Sequence, residues 1–396
     1  MTQIPQETNW RRADFLPYAR ADITEAEIAE VVDTLRSGWL SMGPKTIEFE
    51  KRFAAYTNAT DAIAVNSCTA GLHLALAALG IGDGDEVITT PLTFAATANV
   101  AVHLGARPVF ADVRADDFNI DPHAVERAIT PRTRAIIPVH MAGHPCRMDE
   151  LLDIAAAHNL PIVEDAAHAV GARYRGKMIG SIGTATAFSF YVTKNLTTGE
   201  GGMVTTNDAD LAETMRTLRL HGMNRDAWAR YSDKGTWYYE ITAAGYKYNM
   251  TDIAAAIGLH QLRRLNDFIE VRRHYAALYN EAFADMDTFV LPTTRADVEH
   301  AWHLYILRLR PETLRIDRAA FIEKLREANI GTSVHFIPVH LHPYYRDTFG
   351  YQRGDFPVAE AIFDQAISLP LYTTMTEEDV FSVIEATRAI AHHYRR

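Results

Sequence analysis

The run 188-FSFYVTKNLTTGEGGMV places one lysine, Lys194, between an apolar stretch and a glycine-rich turn. Lysine is seldom buried unless its amine has a partner or a chemical role. A lysine whose pKa is lowered in an enclosed site can act as a nucleophile and form an imine with an aldehyde. A lone lysine at the start of a loop is more often a solvated side chain, so the interpretation of Lys194 depends on its neighbours.

Two acids, Glu164 and Asp165, end the apolar run in 163-VEDAAHAVG. In open α/β sheets the ligand groups lie beyond the carboxyl ends of the strands. A carboxylate in that position can keep the nitrogen of a pyridine ring protonated, which makes the ring an electron sink. Taken alone, Asp165 would serve equally well as a helix N-cap.

A third segment, 66-NSCTAGLHLAL, changes directly from a strand pattern to a helix pattern. The backbone N–H groups of Thr69 and Ala70 would point outward from the start of that helix and could bind a phosphate. Ser189 could add a hydroxyl to the same phosphate. Taken alone, Thr69 would be interpreted as an ordinary N-cap.

Phe94, in 90-TPLTFAATANV, lies where a sheet edge meets the start of a helix, so its ring could stack on a flat ligand. Unaided, it would be assigned to the core. Together these segments offer a phosphate cradle, a stacking ring, a carboxylate and an imine-forming amine. This combination predicts a site for pyridoxal 5'-phosphate (PLP) with Lys194 as its covalent partner.

The elements that must position these residues alternate along the chain between about residues 61 and 207. Helical patterns occur between many of the apolar runs, notably at 69-TAGLHLALAAL, 93-TFAATANVAVHL and 149-DELLDIAAAHN. This alternation predicts an α/β lobe built around a mostly parallel seven-stranded sheet. The seven predicted strands are 61-DAIAVNS, 85-DEVITTP, 107-RPVFADV, 134-RAIIPVH, 161-PIVEDAA, 184-TATAFSF and 202-GMVTTND.

At 396 residues the chain is long enough for two lobes. We assign residues 1–270 to an N-terminal helical segment, with a helix at 24-TEAEIAEVVDTLRSG, and the large cofactor-binding domain. A long helix is predicted from residue 251 and leads into a smaller α+β domain at 271–396. In that domain we predict strands at 302-WHLYILRL and 331-GTSVHFI, and helices near 317-DRAAFIEKLREAN and 376-TEEDVFSVIEATRAIAHHY.

Composition limits the class of protein. The formal net charge of −11 leaves no basic surplus for binding nucleic acid. Cys68 and Cys146 are the two cysteines and lie far apart, which indicates a reducing compartment. No apolar stretch is long enough to span a membrane, so we expect a cytoplasmic protein with no membrane partner.

The chain resembles the DegT-type nucleotide-sugar aminotransferases, which have the PLP-dependent transferase fold of type I. The resemblance runs from about residue 15 to the C-terminus, and the lysine run with its Gly-Glu-Gly-Gly turn is its most specific part. Its other segments are 43-GPKTIEFEKRFA, 66-NSCTAGLHLAL, 163-VEDAAHAVGA, 245-GYKYNMTDIAAAIG and 331-GTSVHFIPVHLHPYY.

The resemblance implies a role for each matching residue. Lys194 would form the Schiff base and move the proton between the donor and the cofactor, and Asp165 would pair with the ring nitrogen. His168 stands where many relatives carry Gln, near the 3' oxygen of the ring. Thr69, Ala70 and Ser189 would bind the phosphate. Asn249 would reach the phosphate of the neighbouring subunit, which implies a homodimer with shared sites.

The resemblance also implies the reaction. L-glutamate would donate its amino group, leaving the cofactor as pyridoxamine phosphate, and a nucleotide-linked keto-sugar would receive it. GYKYN, HAWHLYILRL and NIGTSVHF are most similar to the UDP-4-amino-4-deoxy-L-arabinose aminotransferase branch, which suggests a UDP-4-keto-sugar. That branch carries Trp in the stretch corresponding to 90-TPLTF. Cys68 replaces a glycine seen in many relatives, and the pattern of Lys247 and Asn249 differs from the more frequent Asn-Tyr-Arg version. The sugar, the nucleotide and the surface-polysaccharide pathway therefore stay open.

Several alternatives remain. A related dehydratase that uses pyridoxamine phosphate carries His at the position of Lys194, and a 3-keto-sugar aminotransferase would share the whole fold. A regulatory protein without activity would be expected to lack the catalytic residues, and a Rossmann dehydrogenase would need a G-x-G-x-x-G that is absent.

We predict no metal site from His140, His144, His335, His340 and His342, because their spacing matches no metal motif. We expect His335, His340 and His342 to line the substrate pocket or to cap loops. The aromatic stretch 228-WARYSDKGTWYYE could close over a nucleotide or be a plain loop.

Overall fold

The computed structural model describes residues 11–224 and 238–396. Within these ranges the helices are α1 (Glu25–Ser37), α2 (Pro44–Thr57), α3 (Cys68–Ala78), α4 (Ala96–His103), α5 (Pro122–Ala128), α6 (Met148–His158), α7 (Ala209–Leu218), α8 (Asp252–Phe283), α9 (Arg318–Glu327), α10 (Pro343–Phe349), α11 (Pro357–Gln365) and α12 (Glu377–His393). The strands are β1 (Asp61–Val65), β2 (Glu86–Thr89), β3 (Arg107–Phe110), β4 (Thr133–Ile137), β5 (Val163–Asp165), β6 (Arg173–Tyr174), β7 (Lys177–Met178), β8 (Ala185–Ser189), β9 (Gly202–Thr206), β10 (Phe289–Val290), β11 (Val298–Glu299), β12 (Tyr305–Leu309) and β13 (Ala366–Leu369).

The main sheet has the strand order β1-β9-β8-β5-β4-β2-β3. Single parallel bridges, Ile136 with Ile162 and Val139 with Asp165, join the half that contains β5 to the half that contains β4. In this sheet β9 is antiparallel to its neighbours β1 and β8, and the other pairs are parallel. The seven predicted apolar runs are all strands of this sheet, so the prediction of a mostly parallel seven-stranded sheet is confirmed.

Both faces of the sheet are covered, which is why its strands are continuously apolar rather than alternating. Phe53 on α2 and Leu151 on α6 pack with Phe188 on one face. Leu72 on α3 and Met215 on α7 pack on the opposite face. The three helices predicted between the strands correspond to α3, α4 and α6.

Helix α8 connects two hydrophobic cores. Its first half contributes Leu259 to the core beneath the main sheet, and its second half contributes Tyr279 and Phe283 to a separate core. That second core lies between the antiparallel sheet β10-β12-β13 and helices α9 and α12. The predicted domain boundary at residue 270 falls inside α8 and stays a prediction.

The predictions for the C-terminal region are mostly confirmed. The run 302-WHLYILRL contains β12, and the two predicted helices are α9 and α12. The strand predicted at 331-GTSVHFI is wrong, because only Ser333 pairs with a strand, at Ser368. Gly331 donates instead to the carbonyl of Leu16, and the segment then turns so that His335 and Phe336 face a cavity.

The predicted N-terminal helix is confirmed as α1, which begins with a capping box at Thr24. It packs on α8, where Gln261 Nε2 donates to Glu27 Oε1 at 2.9 Å. Over the described residues, none of the helices has the length and apolar character needed to cross a membrane.

The first residue of α8, Asp252, also caps the start of α2. Its Oδ1 accepts hydrogen bonds from the N–H of Gly43 at 2.8 Å, and from the N–H and hydroxyl of Thr46 at 2.9 and 2.6 Å. Its Oδ2 accepts from the N–H of Lys45 at 3.1 Å. One buried carboxylate thus joins two distant parts of the chain.

We therefore expect Asp252→Ala to lower the free energy of unfolding by about 2–3 kcal/mol, because it leaves several buried donors without an acceptor. Denaturant unfolding followed by circular dichroism measures the change. Asp267→Ala, at an exposed position of the same helix, is the matched control and should shift stability by less than about 0.5 kcal/mol. Equal effects of the two substitutions would contradict this role of Asp252.

Candidate active site

A cavity of about 460 Å³ lies at the carboxyl ends of the parallel strands. Six of the eight residues predicted for the site line it: Thr69, Phe94, Asp165, His168, Ser189 and Lys194. Ala70 and Asn249 do not. The sheet topology explains this convergence, because Asp165 ends β5, Ser189 ends β8 and β5 pairs directly with β8.

Lys194 is held on a closed loop between β8 and β9. The N–H of Lys194 donates to the carbonyl of Tyr191 at 2.9 Å, and Phe190 exchanges backbone hydrogen bonds with Thr198 and Gly201. The side chain is partly open to the cavity but enclosed by protein. Burial lowers the pKa of Lys194 to about 8, while Cys68 and Asp165 oppose this shift. A substantial fraction of the amine is therefore neutral near pH 8 and able to act as a nucleophile.

The side chain of Asp165 accepts hydrogen bonds from Thr97 and Ala167 and a long one, at 3.9 Å, from the thiol of Cys68. Its Oδ2 accepts from the hydroxyl of Thr97 at 2.7 Å, and its Oδ1 accepts from the N–H of Ala167 at 3.1 Å. The hydroxyl of Thr93 lies 2.8 Å from that of Thr97 and can donate to it. Burial raises the pKa of Asp165, and the hydrogen bonds from Thr97 and Ala167, together with Lys194, oppose that rise. The carboxylate is thus oriented before any ligand arrives.

Our sequence predictions missed Thr93 and Thr97. Thr97 lies in the first turn of α4 and Thr93 in the bend before that helix, so no helical spacing in the sequence relates the two hydroxyls.

The start of α3 differs in detail from the prediction. Ser67 is the N-cap, and its Oγ accepts from the N–H of Ala70 at 3.1 Å, so that N–H is already engaged. The N–H of Thr69 has no acceptor among the described residues. A Cβ on Gly202 would lie 2.7 Å from the nitrogen of Cys68, so a glycine is needed for β9 to pass this helix end. The exposed N–H of Thr69 suits an anion.

Phe94 is 64% exposed, and its ring centroid lies 6.1 Å from that of Phe336 across the cavity. His168 is buried, and its ring centroid is 4.5 Å from that of His303. Its Nδ1 is buried with no hydrogen-bond partner in the described chain. Burial and the nearby Lys194 hold the pKa of His168 well below its usual range, so the ring is neutral.

The remaining wall comes mainly from segments that follow α8. It includes Tyr18, His303, His335, Phe336 and Leu371. Of the three histidines predicted to line the pocket or cap loops, His335 lines the cavity, whereas His340 and His342 do not; the sequence predictions do not include Tyr18 and His303. Nothing in the sequence near His303 marks it as a site residue, since it precedes an ordinary apolar strand.

The other predicted residues lie elsewhere. Asn249 forms a bridge with Val65, and its Nδ2 donates to the carbonyl of Met250 at 3.2 Å. The aromatic stretch at 228–240 falls outside the described residues except for its last three.

The histidines considered for a metal have other partners or positions. His140 Nε2 lies 2.8 Å from Glu164, and His340 Nε2 lies 2.9 Å from Glu360. His144 Nε2 accepts from the N–H of Arg295 at 3.3 Å. His342 stands at the start of α10 and does not line the cavity. The described part of the chain contains no cluster of His, Cys, Asp and Glu suited to a metal ion.

The donors in this cavity match PLP. Thr69 lies at the start of α3 and lines the cavity, and its N–H has no acceptor among the described residues, so it is available to a phosphate. The oriented carboxylate of Asp165 suits a protonated ring nitrogen, and the neutral imidazole of His168 lines the same cavity. Lys194 supplies an amine of lowered pKa for the aldehyde.

Comparison with known proteins agrees with this geometry. The family model described as the DegT/DnrJ/EryC1/StrS aminotransferase family matches residues 21–388. The uncharacterized protein MJ1066 of Methanocaldococcus jannaschii is 57% identical over 384 residues, which cover 97% of this chain and 100% of that protein. The spore coat polysaccharide biosynthesis protein SpsC of Bacillus subtilis is 55% identical over 381 residues, 96% of this chain and 98% of that protein.

A solved structure gives the same result. The putative sugar aminotransferase Spr1654 from Streptococcus pneumoniae, with structures of its PLP and PMP forms, superimposes with a TM-score of 0.89 at 38% identity. The match covers 96% of this chain and 99% of that chain. This chain therefore belongs to the DegT/DnrJ/EryC1/StrS aminotransferase family and is a PLP-dependent sugar aminotransferase of fold type I.

Proposed function

We propose that this enzyme transfers the amino group of L-glutamate to the keto carbon of a nucleotide-linked sugar, most simply a UDP-4-keto-sugar. The observation that carries the proposal is the composition of the cavity. Lys194 and Asp165 form one side, and Tyr18, His303, His335 and Phe336 form a wall of aromatic rings and imidazoles. Such a wall suits an uncharged ring that bears hydroxyl groups. The relative named for spore coat polysaccharide biosynthesis supports a sugar of this kind, and nucleotide sugars are cytoplasmic metabolites, so we place the enzyme there.

The roles of the residues follow from their chemistry. When bound, PLP supplies an aldehyde that accepts amines and a ring that stabilises negative charge on the adjoining carbon. Lys194 Nζ would take the proton from the donor's Cα and deliver it to the former aldehyde carbon of the cofactor, a role that typically accelerates a reaction by about 10²–10⁴-fold. Asp165 would hold the positive charge of the ring nitrogen. The N–H of Thr69 and the hydroxyl of Ser189 would bind the phosphate, and the ring of Phe94 would be available to stack on the cofactor.

The lowered pKa of Lys194 gives a test in the cofactor-free protein. Below a pKa of about 8 the amine is protonated and not nucleophilic, and above it the amine is neutral. We expect the rate of PLP incorporation, followed by absorbance, to rise about tenfold per pH unit below pH 8 and to level off above it. A rate that keeps rising towards the ordinary lysine pKa of 10.5 would contradict an enclosed amine.

Borohydride reduction, which fixes the cofactor to the amine it occupies, identifies the lysine. Peptide mass spectrometry should find the adduct on Lys194 in the wild type and no adduct in Lys194→Ala. Lys177→Ala removes an exposed lysine on β7 and is the matched control, in which the adduct should remain.

The reaction itself is tested with both substrates. L-glutamate alone should yield 2-oxoglutarate and remove the absorbance of the aldehyde form, and the keto-sugar nucleotide should restore it. Because one site serves both half-reactions, double-reciprocal plots should be parallel, and intersecting lines would contradict the scheme. No reaction with glutamate would favour the dehydratase instead. NMR of the product distinguishes amination at C4 from amination at C3.

We further propose a homodimer in which Asn249 of each subunit completes the site of its partner. Lys194→Ala and Asn249→Ala should each be inactive alone, yet random mixing should restore about a quarter of the native sites, because each mixed dimer contains one intact site. Activity after denaturation and joint refolding measures this. Mixing Lys194→Ala with the double variant is the control and should restore nothing. No recovery in the first mixture would mean that Asn249 acts only within its own chain.

A further inference from the structure

His303 is a buried residue of the cavity wall to which the reaction described above gives no specific contact. It is 5% exposed, and it lines the cavity together with Lys194. Its ring packs against that of His168. It is held in place from behind by Arg272, whose Nη1 donates to the carbonyls of His303 at 3.3 Å, Trp302 at 3.4 Å and Leu371 at 2.7 Å. These hydrogen bonds fix the backbone that carries the His303 ring and join it to the neighbouring wall segment at Leu371.

Asn195, the residue after Lys194, fixes the tautomer of His303. Its Nδ2 donates to the carbonyl of Ala301 at 2.7 Å, and a carbonyl can only accept, so the orientation of the amide is determined. The Oδ1 of Asn195 therefore faces His303 Nδ1, 3.2 Å away. Because this oxygen can only accept, Nδ1 must carry the proton. The lone pair of the ring is then on Nε2.

The Nε2 atom of His303 is open to the cavity. Nε2 makes no hydrogen bond to any described residue. It is also not one of the fully buried atoms that lack a partner, so it is accessible from the cavity that His303 lines. Burial and the nearby Lys194 and His168 hold the pKa of His303 well below its usual range. At neutral pH Nε2 is therefore an uncharged hydrogen-bond acceptor in a fixed position, and no described residue donates to it.

We propose that His303 is a specificity-determining residue whose Nε2 accepts a hydrogen bond from a hydroxyl of the keto-sugar, next to the carbon that receives nitrogen. This inference rests on the proposed function. A fixed acceptor favours a hydroxyl, which can donate, over a carbonyl or carboxylate oxygen, which cannot. His303 thus distinguishes the sugar from the carboxylates of the amino donor.

The experiment compares two nucleotide-linked keto-sugars that differ only in that hydroxyl, using the enzyme in its pyridoxamine form. The wild type should prefer the hydroxylated sugar by about 10–100-fold in kcat/KM, because the deoxy sugar leaves a buried acceptor unpaired. His303→Leu, which has no acceptor, should treat the two sugars alike within about threefold. His303→Gln offers an amide oxygen and should recover part of the preference.

Two further measurements separate specificity from loss of structure. The half-reaction with L-glutamate is measured in both variants, and in His303→Leu it should fall less than the reaction with the hydroxylated sugar, because the donor does not use Nε2. His300→Leu is the packing control: His300 is also buried and stacks on Trp302, but it does not line the cavity. This variant should keep the preference for the hydroxylated sugar even if it is less stable.

The outcomes are distinguishable. If His303→Leu slows both sugars and glutamate equally, or keeps the preference, His303 is structural and this inference is wrong while the proposed function stands. If the wild type reacts with glutamate but with no nucleotide keto-sugar, the proposed function fails and this inference fails with it. A preference that disappears only in His303→Leu supports both.

Discussion

The site depends on enclosing one amine and one carboxylate in the same cavity. Removing Lys194 and Asp165 from water disfavours the charge on each, and this shifts the pKa of the lysine down and that of the acid up. The sheet makes the enclosure possible, because β5 and β8 are parallel neighbours and their carboxyl ends open on the same edge. The other elements of the large lobe can be understood as covering the two faces of that sheet. Without this cover the amine would keep the pKa of an exposed lysine.

The second core completes the cavity through backbone contacts rather than through charged pairs. Arg272, on α8, is buried and has no carboxylate partner in the described chain; it donates instead to three carbonyls of the cavity wall. Asn195 links the lysine loop to the same wall through Ala301 and His303. Since α8 belongs to both cores, a change in how these cores pack would move the imidazole wall relative to Lys194. The geometry for the substrate therefore depends on contacts far from the reacting atoms.

Local patterns in the sequence were sufficient to predict the sheet, and six of the eight residues predicted for the site line one cavity. Continuous apolar runs identify the strands, and the residues that follow each run lie at one edge by the rules of parallel sheets, which is how Asp165, Thr69 and Lys194 could be grouped. The hydrogen bonds that orient them could not be predicted so easily, because Ser67 rather than Thr69 caps α3, and Thr97 bonds Asp165 from another helix. His303 is the clearest failure. Its role depends on Asn195, 108 positions earlier in the chain, and no local pattern reports such a contact.

The cavity has few charged side chains, and most of the groups that could bind a ligand are neutral. Among the described residues that line it, Lys194 is the one lysine or arginine, and His168, His303 and His335 are all held neutral by burial. A second cation would lower the pKa of Lys194 further and would compete with the ring nitrogen for Asp165. A phosphate held by a helix N–H and a hydroxyl needs no such cation. The same reasoning applies to the sugar: a wall of uncharged acceptors can select hydroxyl groups without adding a charge beside Lys194 and Asp165.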